Sequence, residues 1–198
     1  MEATPAAPSP QIPVKVIAAA LAGAAVAVIL GVYGNEHEPA RDTLPTDLFF
    51  SATLNLKVWF ATAAFVLAIC QVYLGGVMYG WWPYPGGARG WVPMVHRASG
   101  FLAFLFTLPV AYHCLYSLGF QDYENGEVPV IGGDRVYFHS ILGCIFFGAF
   151  AAKVLLVTLK GVPSWALPVA GGILFAALTL IWYTAAYWFF DTRGFPEF

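Results

Sequence analysis

Two histidines sit inside runs that otherwise read as apolar: His113 in "VAYHCLYSLGF" and His139 in "VYFHSILGC". An ionisable side chain in such a run is costly in lipid and usually marks function. A neutral imidazole has three uses there. It can bind haem iron axially, relay protons, or hydrogen-bond a neighbouring helix. His96, at the start of "HRASG", is a third candidate, and His37 reads as a solvated loop residue.

The surroundings favour haem. His139 is followed four residues later by Gly143, and His96 by Gly100 at the same offset. Each glycine withholds a side chain one turn along the same helix face, leaving room for a flat macrocycle. Pro109 precedes His113 by one turn, where it removes a backbone donor and bends the helix. Arg135, one turn before His139, and Arg97, directly after His96, could meet haem propionates. Phe106, Phe146, Phe147, Tyr112 and Tyr137 could wall a porphyrin.

The elements that must position these residues are membrane spans. The chain has 198 residues, 60% hydrophobic and only 10% charged, where soluble domains carry about 25% charged. A spanning helix needs ~20 apolar residues. Five runs qualify: Val14–Tyr33, Leu54–Tyr79, Val95–Leu118, Val136–Leu159 and Ser164–Phe190. The expected fold is therefore all-α: five transmembrane helices, with residues 54–190 forming a four-helix haem-binding bundle beside an N-terminal helix at 14–33. Residues 1–13 read as an extended or disordered leader and 191–198 as a tail. The leader has no basic n-region, so the first span is expected to be retained rather than cleaved. Gly23, Ala27 and Gly31 give that span a ridge of small residues, suited to close packing on another helix or on a partner.

Depth then sorts the histidines. Span three runs away from the N-terminal side of the membrane and span four returns. His113 and His139 both fall ~5–8 Å below the opposite end, at about 1.5 Å per residue. They lie on consecutive antiparallel helices, which normally pack together or flank one another. His96 lies about 25 Å from His113 along the axis, at the other interface. Three span histidines supply one bis-histidine site and leave no second pair. The expectation is one haem b between His113 and His139, with His96 as a candidate third ligand.

Lys15, Arg89, Arg97, Lys153 and Lys160 fall on the N-terminal side, against Arg41, Lys57, Arg135 and Arg193 opposite. This places the N-terminus in the cytoplasm and the C-terminus outside a bacterial inner membrane. The net charge of −2 and the lack of any basic stripe exclude nucleic acid. Cys70, Cys114 and Cys144 are scattered through apolar runs and read as small buried residues.

The stretch "HRASGFLAFLFTLPVAYHCLYSLGFQ", with "HSILGC" and "GAFAAK" beyond it, resembles a family of uncharacterised, mainly actinobacterial, polytopic membrane proteins. More loosely, histidines on adjacent helices of a small bundle look like the cytochrome b561 and ferric-reductase group. That resemblance implies electron transfer through b-type haem. It carries His113 and His139 across as a pair, and the fourth histidine of the pattern is missing here.

The functional expectation is a cytochrome-like membrane electron-transfer protein or subunit, exchanging electrons with quinol or a small carrier. The acidic loop 121–134 could receive a cationic carrier. The alternative is a haem-free accessory or assembly subunit of a larger respiratory complex. A transporter ranks third, because no span contains Asp or Glu.

Overall fold

The computed structural model describes residues 13–40, 48–83, 90–120 and 134–196. Among them the chain is all-helical, and five helical rods are long and apolar enough to cross a membrane. The first three are α1 (Val14–Glu36), α2 (Thr53–Met78) and α3 (Val92–Tyr112), α3 continuing as a π-helical segment, His113–Leu118. The fourth is α4 (Asp134–Thr158). The fifth is a composite of α5 (Ala166–Trp182), a second π-helical segment (Tyr183–Tyr187) and α6 (Trp188–Arg193). The leader to residue 12, the acidic loop 121–133 and the last two residues lie outside the described residues.

Large apolar side chains such as Val28, Ile29, Phe101, Val157 and Ile173 face outward. In water such a surface would be untenable over this much area; lipid contact explains it. Trp81, Trp91 and Trp165 sit exposed near rod ends, where amphipathic rings suit the interface.

Helix contacts close into a ring rather than following chain order. α1 packs on α4, α4 on α5, α5 on α2 and α2 on α3, and the first π-helical segment returns to α1. α3 and α4 are not neighbours in that ring, and side chains rather than close backbones bridge them. Between them the Phe104 ring stacks on Phe150 at 4.1 Å and meets Phe147 edge-on.

The α1–α4 contact consumes the small-residue ridge. A Cβ placed on Gly23 would lie 2.5 Å from the Gly148 carbonyl oxygen, and one on Gly148 would lie 2.5 Å from the Gly23 oxygen. Ala27 and Ala152 flank the crossing. The ridge is thus an internal seam at Gly23 and Ala27, where backbones touch as lipid-embedded packing favours. At Gly31 an added Cβ meets nothing within 4 Å.

The ring closes at the end of α1. The Phe120 N–H donates to the Gly34 carbonyl at 3.2 Å, and the Ala40 N–H to the Tyr116 carbonyl at 3.2 Å. Gly119, at φ 63°, makes the left-handed turn that ends the π-helical segment. His37 takes part in this closure instead of pointing into solvent. Its ring stacks between Tyr33 at 4.7 Å and Tyr116 at 5.2 Å.

Candidate functional site

Two interruptions of regular helix build the site. Pro109 cannot donate to the α-helical ladder, and four residues later the backbone slips into the wider π register at His113–Leu118. The fifth rod slips likewise at Tyr183–Tyr187. Single π-turns within α-helices concentrate at functional positions. Here the first carries His113 and Cys114, and the second carries Thr184.

These residues join a chain of polar contacts on the side of the bundle opposite the N-terminus. Lys57 Nζ on α2 lies 3.2 Å from His113 Nδ1. The Cys114 thiol lies within hydrogen-bonding reach of both Lys57 and the His139 ring. His139 Nδ1 lies 3.1 Å from Thr184 Oγ1. Arg135 donates through Nη1 to the Thr184 carbonyl at 2.7 Å, and its guanidinium rests 3.9 Å over the Trp188 ring.

Hydrogen-bond chemistry fixes the tautomer of His139. Thr184 commits its one hydroxyl proton to the Leu180 carbonyl at 2.8 Å, so toward His139 it accepts and Nδ1 carries the proton. His139 Nε2 is left with its lone pair. Such a histidine, its other nitrogen donating outward, is set up to bind a metal or accept a proton. Lys57, as an ammonium, has donors only. Facing it, His113 Nδ1 can accept.

Beside this chain lies a cavity of about 90 Å³ that opens to the outside. All five rods contribute to its wall, among them Leu30, Ala61, Cys114, His139, Gly143 and Leu178. Thr107 and Ser140 are its other polar side chains. An added Cβ on Gly143 would meet nothing within 4 Å, so the space expected beside His139 is open. The enclosed space is smaller than the ~300 Å³ or more of a whole small-molecule site, so it would admit the edge of a flat ring with the rest of a ligand in its open mouth.

The expected haem residues divide. His139 and Gly143 stand on the cavity, whereas His113 is not part of its wall. Arg135 is tied to Thr184 and Trp188 rather than held free for a propionate. His96, Arg97 and Gly100 lie at the other end of α3. The space beside Gly100 is filled: a Cβ there would lie 2.7 Å from Gln71 Oε1. Gln71 Nε2 donates to the His96 carbonyl and to Ser99 Oγ, both at 2.6 Å. Of the two histidines expected to clasp a haem, His139 lines the cavity, and His113 lies beside it with Nδ1 facing Lys57. Among the described residues, no cluster of three or more His, Cys, Asp or Glu could hold a metal ion.

Lys57, Cys114 and Thr184 complete a site that sequence reasoning centred on histidine. Lys57 carried a signal, as a cation near the correct end of span two. Cys114 read as a small apolar residue, yet it lies beside two polar side chains from other rods. Nothing in the run around Thr184 distinguishes it from any other helix threonine.

The chain belongs to the family of unknown function DUF6529, whose profile matches residues 16–197. No curated protein and no solved structure matches it, and the looser likeness to cytochrome b561 and the ferric reductases finds no counterpart in these comparisons.

Proposed function

We propose that this member of DUF6529 is an integral membrane electron-transfer subunit whose bundle takes a lipid-soluble ligand of the quinone class into the interior cavity. One observation carries this reading: an apolar cavity walled by all five rods has an imidazole lone pair, a thiol and a hydroxyl in its wall. A quinol hydroxyl can donate to His139 Nε2. A quinone carbonyl can accept from Ser140 or Cys114. Lys57, behind Cys114, adds a positive charge that favours electron-rich forms of the ring. The apolar wall suits the rest of such a ligand. In this reading a partner subunit or small carrier exchanges the electrons, and the accessory-subunit reading merges with this one.

A second reading rests on His139 itself. His139, with the open space beside Gly143, would be the residue to hold a b-type haem in this cavity. Bound there, a haem would supply one-electron chemistry. His139 would hold it, Thr184 would fix the ring orientation and the apolar wall would exclude water.

One preparation separates the readings. The full chain, purified in mild detergent from bacterial membranes, is extracted for quinone and assayed for pyridine haemochrome. About one quinone per chain, lost in His139→Ala and Gly143→Leu but kept in His113→Ala, is the expected result. Haem with the same dependence on these variants would establish the second reading. Haem lost equally in His113→Ala and His139→Ala would restore the bis-histidine clamp and overturn the quinone assignment. Neither group in the intact protein, with no uptake of added ubiquinone or menaquinone analogues, would remove both readings.

A further inference from the structure

We propose that His96 and Lys153 form a second intramembrane site, on the N-terminal side, that holds an anionic group of phosphate chemistry. The inference does not depend on what occupies the cavity.

Depth is the first observation. His96 lies four residues past the start of α3, Lys153 five before the end of α4, and Gly171 five past the start of α5. At about 1.5 Å per residue, all three lie ~6–8 Å below the ends of their helices. The Lys153 Nζ atom sits 3.8 Å from the position of a Cβ on Gly171. The side chain therefore runs sideways at its own depth, into room that Gly171 provides. A snorkelling lysine would instead climb toward the headgroups.

Charge is the second. Lys153 is half-buried and within electrostatic reach of the His96 ring. Among the described residues, no carboxylate is placed to neutralise it. The described acidic residues Glu36, Glu38, Asp134 and Asp191 all lie at the opposite ends of the rods, while Lys15, Arg97 and Lys160 add positive charge on the N-terminal side. An uncompensated cation beneath a membrane surface draws a counter-ion from outside.

The third is an orphaned atom. His96 Nδ1 is buried and has no hydrogen-bond partner among the described residues, a state that costs stability unless a ligand satisfies it. A phosphate oxygen would accept from Nδ1–H and from Lys153 together. Two glycines flank the site, Gly75 of α2 beside the His96 ring and Gly171 of α5 beside Lys153 Nζ. Gly75 opens the wall on the α2 side, where a Cβ would come no nearer than 3.9 Å to His96 Cε1.

A membrane phospholipid and free phosphate both present this chemistry, and the test distinguishes them. The full chain in detergent is titrated with phosphatidylglycerol, with phosphatidylcholine and with inorganic phosphate, reading bound lipid by native mass spectrometry and thermal midpoint by fluorescence. Preferential retention of phosphatidylglycerol, weakened about tenfold in Lys153→Gln and in His96→Phe and rescued in Lys153→Arg, identifies a lipid site. A rise in midpoint with phosphate but not chloride, lost in the same variants, identifies a free-anion site. Lys160→Gln, at the rim, serves as the control for general surface charge. Equal binding of all three ligands by wild type and Lys153→Gln, in samples that remain monodisperse, would overturn the proposal. So would equal weakening by Lys160→Gln.

Discussion

Gly143 and Gly100 make an instructive pair. Each follows a histidine by four residues on a membrane helix, and in sequence they look like the same device. The space beside Gly143 is open and joins the cavity. The space beside Gly100 is occupied by Gln71, whose amide ties α2 to α3. A missing side chain is therefore only an allowance of room. Whether a ligand or a neighbouring helix uses it depends on which rod stands opposite. At Gly100 the opposite rod is the tightly packed α2. At Gly143 the ring of helices encloses a cavity instead.

The sharpest way to stress this contrast is to disturb the seam that holds the ring. Gly148→Leu forces a side chain into the Gly23 carbonyl, so α1 and α4 must separate. We expect a loss of about 3 kcal/mol or more, read as a collapse of the thermal midpoint and of monodispersity in detergent. Full stability in that variant would mean that α1 does not cross α4 at Gly23.

The two histidines of the candidate site come next. His139→Ala should abolish ligand retention, while His113→Ala should leave most of it, since only His139 lines the cavity. Equal loss in both variants would put His113 back at the ligand.

The glycines themselves can be compared directly, by alanine at each position with stability measured in the same detergent. Gly143→Ala should be neutral or stabilising by up to ~1 kcal/mol, because its Cβ meets nothing and alanine favours helix. Gly100→Ala should cost about 1 kcal/mol, since Gln71 must give up hydrogen bonds to make way. Equal effects would erase the distinction drawn here.

The smallest effect is expected at the orienting hydroxyl. Thr184→Val frees the His139 ring to change tautomer, and ligand affinity should fall about fivefold with the fold intact. An unchanged affinity would mean that Thr184 does not set the proton on His139.

Sequence patterning made the rods legible, because long apolar blocks can only be satisfied as helices in lipid. It also made the depths of His96, His113 and His139 legible, because rise per residue is fixed. It could not show which rods are neighbours. His113 and His139 share a depth and sit on consecutive helices, yet α3 and α4 are not neighbours in the ring. His37 reads as a loop residue, but the closure of α1 on the π-helical turns sandwiches it between two tyrosines. The cysteines look alike in composition, and only the approach of Lys57 and His139 sets Cys114 apart.

By itself, then, the sequence determined an all-helical membrane chain with five rods, a small-residue ridge on the first and imidazoles at known depths. Those properties follow from hydropathy and helical rise, which are local. The tertiary structure alone decided that the ridge is spent on α4, that one glycine gap is open and the other filled, and that His139 rather than His113 faces the cavity. These depend on helix order around the ring and on two π-helical slips that rotate side chains out of regular register. No local pattern encodes which surfaces will meet, since in lipid every rod is apolar on most of its faces.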